Sequence, residues 1–340
     1  MNQIRHPTVI FFGWPSNIGG ADTKLVHLLL LLHKHASITV VPNETRHLKV
    51  GHWTRWLDSL GIRYCPLDRL TRARGGYGIS LSNQHFFTAR ICHRAKELGL
   101  TVIWSSEMMW HHEGELEAIR EGMVDKVLYV SEIQKAALSP TYGFLPSTLT
   151  GNYIEPSLFP FHERRNVQFT IGRLSRPAVE KFPEDFPVFY ESLEIPECKF
   201  RVMAWDKTLE EKFKWHSFDH RWRLLKPDEE TQVAFLHSLD LFVYPLGHTF
   251  TETWGRSTVE AMLTGCIPLV PPGHHLDQLI TDDETGFICD DFNEYQSHAL
   301  ELFFDYSTRC RLAKQCRDHA VNNLCRTEEN RRIWLEEVCR

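Results

Sequence analysis

The sequence predicts an α/β protein built as two consecutive doubly wound parallel-sheet units. Three observations carry this. Short β-branched or aromatic runs alternate with helix-length stretches along nearly the whole chain. The first run, Thr8 to Phe12 (TVIFF), breaks into a loop with Gly13, Pro15, Gly19 and Gly20, and a helical pattern then leads to a second run, Ser37 to Val41 (SITVV). The length, 340 residues, suits two domains of ordinary size.

Taken in order, the first unit has strands at 8–12, 37–41, 79–82, 101–104 (TVIW) and 126–130 (KVLYV). Helices are expected over 21–35, 87–98 and 115–121, and Ser131 is placed to cap the helix that follows the fifth strand. A segment around 151–165, with Pro156 and Pro160, separates this unit from the next. The second unit has strands at 167–171 (VQFTI), 200–203, 241–244 (LFVY) and 267–270 (IPLV). Its helices are expected over 182–193, 229–238 and 257–264, and from Phe292 the pattern is helical almost to the end. The domains read as 1–160, 161–325 and a closing helix 326–340. Two parallel sheets in tandem are expected to face each other across a cleft lined by the carboxyl ends of their strands, where ligands of such sheets bind.

Hydrophobic residues make up 42% and charged residues 24%, an ordinary globular balance that excludes disordered and fibrous classes. Nine scattered cysteines with no Cys-x-x-Cys pair argue against a disulfide framework or a zinc ribbon and for reduced thiols. The N-terminal apolar run is too short for a signal peptide, and the most apolar helical stretch, 25–32, is interrupted by His27. A soluble, cytoplasmic protein is therefore expected, with no stable membrane span. Charge is unevenly shared. Residues 1–165 carry 18 Lys/Arg against 14 Asp/Glu, the remainder 20 against 30. The excess concentrates in Arg46, Lys49, Arg55, Arg63, Arg69, Arg72 and Arg74, which fits an anionic partner for the first half or a solvated basic face.

The chemistry-bearing stretch is 251–270, TETWGRSTVEAMLTGCIPLV. Glu252 sits in a loop after a strand, and the chain enters a helix near Arg256 or Ser257, where backbone N–H groups have no intrahelical partner. Such a helix start, approached over Gly255, can hold a phosphate or a sugar hydroxyl. Glu260 lies one turn further on, and carboxylates accept well from vicinal hydroxyls.

This segment resembles the E-x7-E motif of retaining GT-B glycosyltransferases of the glycosyltransferase family 4 type, with Trp254 where a Phe is usual and Leu263 where a small residue is usual. The resemblance implies the GT-B fold. It places Glu252 on the donor sugar, Glu260 on the nucleotide ribose, and the backbone of Thr253, Trp254 and Gly255 on sugar and phosphate. A second stretch, FTIGRLSRPAVEK, resembles the family's G-R-L-x-x-x-K-G pattern. It implies that Gly172 and Arg173 lie at the donor diphosphate and that Lys181 supplies a second cation, with Arg176 as its rival because Lys181 follows Arg173 at eight residues. The family uses these cations, and no metal, to stabilise the leaving diphosphate.

Three weaker signals follow from the same resemblance. Gly19 and Gly20 match a Gly-Gly loop near the diphosphate. The stretch WSSEMMWHHE after the fourth strand offers His111 or His112, and Glu107, as cleft residues; a His-His-Glu metal site lacks a third well-placed ligand. Leu225, in RLLKP, lies where relatives bind the base through backbone groups.

The implied activity is transfer of a sugar from a nucleotide-diphosphate sugar to an acceptor hydroxyl, with retention and without a metal or cofactor. The acceptor is a glycan or another anionic molecule, such as a lipid head group or nucleic acid. Glycosylation of modified DNA bases and a non-catalytic sugar-binding protein of the same fold are the alternatives.

Overall fold

A computed structural model of the chain describes residues 6–338 apart from 18, 50, 72–74, 165 and 166. It divides into two compact units. One comprises Met1–Glu155 with Thr327–Arg340, the other Pro156–Arg326, so the division falls at Pro156 rather than at residue 160.

The first unit holds a seven-stranded, all-parallel sheet: β1 (Thr8–Phe12), β2 (Ser37–Val41), β3 (Arg63–Tyr64), β4 (Tyr77–Leu81), β5 (Thr101–Ser105), β6 (Lys126–Tyr129) and β7 (Ser147–Leu149). The spatial order is β3-β2-β1-β4-β5-β6-β7. Alternate residues of each strand feed two apolar layers, as the period of two requires. Val9, Phe11, Ile38 and Val40 pack on one face with helices α1 (Gly20–Leu32) and α2 (Gly51–Ser59), joined by the fully buried Trp334 near the end of the chain. Ile10, Phe12 and Val41 pack on the other, beneath α3 (His85–Thr88), α4 (Ile91–Glu97), α5 (Glu115–Arg120) and α6 (Glu132–Tyr142).

The helix expected over 87–98 is two helices, because Arg90 adopts φ 53° between them. Ser131 caps α6 by accepting the Gln134 N–H at 3.2 Å. Of the basic stretch, Arg46, Lys49, Arg55, Arg63 and Arg69 are exposed, and Arg46 pairs with Glu44 at 2.7 Å. Arg72 and Arg74 lie outside the described residues.

The second unit holds six parallel strands: β8 (Thr170–Leu174), β9 (Lys199–Met203), β10 (Trp222–Leu225), β11 (Leu241–Val243), β12 (Ile267–Val270) and β13 (Phe287–Ile288). Their order is β10-β9-β8-β11-β12-β13. Its helices are α7 (Phe186–Glu191), α8 (Lys207–Lys212), α9 (Gln232–His237), α10 (Arg256–Thr264), α11 (Phe292–Phe304) and α12 (Tyr306–His319). The last helix of the chain, α13 (Thr327–Glu337), belongs to the first unit and carries Trp334.

Both sheets reverse direction in the middle, between β1 and β4 and between β8 and β11. In such sheets the crevice beyond the strand ends at the reversal is where ligands bind. Among the described residues no helix is long and apolar enough to cross a membrane, and the eight described cysteines are free thiols.

Candidate active site

In the second unit the crevice lies beyond β8 and β11, and the sequence filled it differently from expectation. The run VQFTI was expected to end at Ile171. The strand instead starts at Thr170 and continues through Gly172, Arg173 and Leu174, all buried. Gly172 is required there by packing, since a Cβ would lie 2.1 Å from the Arg201 carbonyl oxygen of β9. Its absence of a side chain serves strand pairing.

Arg173 consequently lies in the interior, 0% exposed, and not at a loop tip. Its Nη1 donates to the Pro245 carbonyl at 2.7 Å and its Nη2 to the Lys181 carbonyl at 3.2 Å. The guanidinium carbon sits 4.0 Å from the centre of the Phe182 ring and 4.4 Å from that of Tyr244. This enclosure is where the structure places the residue that the resemblance puts at the donor diphosphate.

Beyond the strand ends three side chains meet. Lys181 closes a short 3-10 turn, Val179–Lys181, and its Nζ reaches Glu252 Oε2 at 2.8 Å. The Tyr244 hydroxyl, directly after β11, donates to the same oxygen at 2.9 Å and lies 3.5 Å from Lys181 Nζ. Burial opposes ionisation of Glu252, but the Lys181 ammonium and the Tyr244 hydroxyl more than offset it and hold the carboxyl below its usual range. Burial likewise disfavours the Lys181 cation, and Glu252 outweighs it and raises the ammonium above its ordinary value. Glu252 Oε1 has no hydrogen-bond partner among the described residues. The Glu252 backbone N–H donates to His274 Nδ1 at 3.2 Å, and burial keeps that imidazole below its usual pKa and hence neutral.

The following residues turn the chain into α10. Thr253 and Trp254 are buried, and the indole stacks on His275. Gly255 takes φ 86° as the residue before the helix, where a Cβ would meet Leu276 Cδ2 at 2.5 Å. Gly255, the residue before α10, has no side chain with which to cap the helix start. Glu260, in the second turn, is buried, and burial raises its pKa against the opposing Arg256 guanidinium at 3.4 Å. Arg176 is exposed, two residues beyond β8, and its charge is felt by both Glu252 and Lys181. Leu225 ends β10 with its side chain buried and its carbonyl accepting the Trp205 N–H at 2.6 Å.

In the first unit Gly19, at φ 88°, precedes α1, and Gly20 opens it; residue 18 is outside the described chain. The loop after β5 is pinned. His111 is held by the Tyr142 hydroxyl at 2.8 Å and Thr141 Oγ1 at 3.3 Å, and His112 Nε2 by Ser82 Oγ at 3.0 Å. Burial lowers the pKa of both. Glu115 organises this loop, accepting the Trp104 Nε1–H at 2.8 Å and the His112 N–H at 2.7 Å and contacting the Tyr142 hydroxyl. Burial pushes its carboxyl up to about 7. Glu107 pairs with the fully buried Lys24 at 2.6 Å. No three His, Cys, Asp or Glu side chains are gathered as metal ligands among the described residues.

The sequence reading named Lys181 and Glu252 separately, for diphosphate and sugar; the structure pairs them, and adds Tyr244 and His274, which that reading did not name. Tyr244 had been read only as the last residue of an apolar strand. His274 follows a Pro-Pro-Gly turn with no motif of its own.

No known protein family profile matches the chain, and no curated protein matches it by sequence. Solved structures do. The structure of HepE from Anabaena with UDP and glucose superposes with a TM-score of 0.74 at 13% identity, covering 98% of this chain and 100% of that one. A further HepE structure holds UDP-glucose. TarM superposes with a TM-score of 0.76 at 9% identity over 99% of each chain. Sucrose-phosphate synthase from Thermosynechococcus elongatus gives 0.68 at 13% identity over 96% of each. At such identities the likeness is one of fold: this chain has the two-domain Rossmann-like fold of the GT-B proteins.

Proposed function

We propose that the protein is a retaining glycosyltransferase that moves a sugar from a nucleotide-diphosphate sugar, of which UDP-glucose is the first candidate, to an acceptor hydroxyl. The observation that carries the reading is the Lys181–Glu252–Tyr244 cluster where the strand order of the second sheet reverses, with α10 starting four residues after Glu252. The HepE structures hold UDP and UDP-glucose, and that donor class suits the chemistry here.

In this reading Glu252 stays ionised and offers Oε1 to sugar hydroxyls, while Oε2 is anchored. The first turn of α10, from Gly255 onward, accepts the diphosphate or the sugar. Lys181 and Arg176 supply the positive charge that the leaving diphosphate needs, the part a metal plays in other transferases. Glu260 receives the ribose. The acceptor approaches from the same face as the departing phosphate, whose oxygen takes the acceptor proton. The family resemblance gives Gly19 and Gly20 to the donor diphosphate and His111 to catalysis, and all three belong to the first unit. The exposed basic residues there favour an anionic acceptor, such as a charged glycan, a lipid head group or nucleic acid.

The test is a thermal-shift panel of UDP-, GDP-, ADP- and TDP-sugars, since a ligand that binds only the folded state raises its melting temperature. A shift with one donor and loss of turnover in Glu252→Ala, with the fold retained, support the reading. Wild-type turnover in that variant would sink the site assignment, and the absence of any shift would favour a non-catalytic role.

A further inference from the structure

We infer that Arg173 is a positioning residue. It fixes the two groups that hold Glu252 and makes no contact with the donor. The inference rests on the reading of Glu252 as the donor-side carboxylate, and it departs from the diphosphate contact that the sequence motif implied.

The argument begins with what the guanidinium spans. Its two terminal nitrogens donate to carbonyls of separate segments, Lys181 and Pro245, at 3.2 and 2.7 Å. Lys181 is one holder of Glu252, and Pro245 directly follows the other, Tyr244. One rigid planar fork therefore sets the spacing between the backbones that carry both holders. The Tyr244 ring is itself one of three rings around the fork, with Phe182 and Phe186. Movement of the guanidinium moves the tyrosine ring as well as the lysine backbone.

The second step is charge. Arg173 is fully buried, and among the described residues no carboxylate lies within ion-pair distance of it. Its Nε has no hydrogen-bond partner among the described residues. A buried cation without an acid is costly, and an apolar side chain of similar volume would serve packing alone at least as well. What an apolar side chain cannot do is bond two carbonyls at once. A lysine cannot either, because a single ammonium on a flexible stem lacks the fork.

Arg173→Lys keeps the charge and removes the fork, so it separates the two roles. The primary readout is a carbon-13 titration of the Glu252 carboxyl, assigned as the signal missing in Glu252→Gln, and it needs no donor. The expected result is a Glu252 titration moved to higher pH than in the wild type, because the lysine and tyrosine that favour its ionised form lose their spacing. UDP affinity should stay within twofold, and kcat for UDP-sugar turnover should fall at least tenfold with little change in KM.

An unmoved Glu252 titration overturns the inference, and so does a tenfold loss of UDP affinity with kcat retained, the signature of a direct diphosphate contact. A wild-type protein that binds no UDP defeats the choice of donor, while the titration still decides the role of Arg173. Should Arg173→Lys fail to fold, Phe182→Leu, which removes one enclosing ring and leaves every charge, carries the same titration test.

Discussion

Replacing Lys181 by Met gives the sharpest test of the candidate site. The two side chains of the pair are 9% and 12% exposed and meet at 2.8 Å. Removing the ammonium leaves the Glu252 carboxylate buried with only the Tyr244 hydroxyl on its anchored oxygen. Breaking a buried pair from one side typically costs about 3–5 kcal/mol, because the remaining charge keeps its desolvation penalty. Removing both charges, as in Lys181→Met with Glu252→Gln, should cost only about 1–2 kcal/mol, since a side-chain amide still accepts from Tyr244. The two substitutions should therefore be coupled by several kcal/mol.

The sign with pH follows from the same balance. In the single variant, burial of Glu252 goes unopposed by the lysine, so its folded pKa rises above the unfolded value. The deficit should then shrink as pH falls through that raised pKa and the carboxyl takes up a proton. Equilibrium urea unfolding, resolved for the second unit by hydrogen exchange of the β8 amides, measures each quantity. Both the single and the double variant should lack transfer activity, so the double variant is the informative one: stable and inactive. A single-variant cost below about 1 kcal/mol with no coupling would mean that solvent screens the pair and that its burial carries no energy.

Two further outcomes are open to direct measurement. Gly255→Ala should destabilise the second unit by about 2–4 kcal/mol in urea unfolding, combining a left-handed backbone forced on an L-residue with a Cβ overlapping Leu276; a change under about 0.5 kcal/mol would show that the turn is not fixed. Glu115 is fully buried with its carboxyl pushed up to about 7, so the folded protein retains a proton that the unfolded chain releases near 4.5. Its contribution to stability is therefore greatest below 4.5 and falls by roughly 3 kcal/mol as pH rises to 7, with no further change above. In Glu115→Gln the stability difference from wild type should sweep through that amount between pH 4.5 and 7, and a flat difference would mean Glu115 ionises as it does in water.

How much of this was legible in the sequence depended on whether the deciding contact was local. The runs at β1, β2 and β12 have the same limits in the structure, because β-branched density and the flanking breakers set those limits within a few residues. The Ser131 cap is equally local. The end of β8 is not. Gly172 is a glycine because the β9 backbone, 29 residues later in sequence, passes where a Cβ would lie. The burial of Arg173 in β8 is likewise set by distant residues. The rings that enclose it, Phe182 and Tyr244, and the carbonyl of Pro245 lie too far along the chain for periodicity to bring them together. The short strands β3, β7, β10 and β13, with two to four residues each, are stabilised by neighbours already in place and leave little pattern to read.

The two glutamates of the E-x7-E stretch show what spacing can and cannot give. Spacing placed Glu252 before a helix and Glu260 inside it, and both are where that places them. It could not say that their surroundings would drive them apart. Lys181 and Tyr244, both from outside the motif, hold Glu252 in its charged form, whereas Glu260 is buried against an intrahelical Arg256 at 3.4 Å that only partly offsets its burial. The two carboxyls, eight positions apart, are thus pushed in opposite directions by their surroundings, which fits the different roles proposed for them. The charged member belongs where charge develops at a sugar, and the reluctant one where neutral hydroxyls must be matched by either a donor or an acceptor. Spacing alone says nothing of the two environments. The residues that set them apart include Lys181, which precedes Glu252 by 71 positions, and Arg256, which the helix itself supplies.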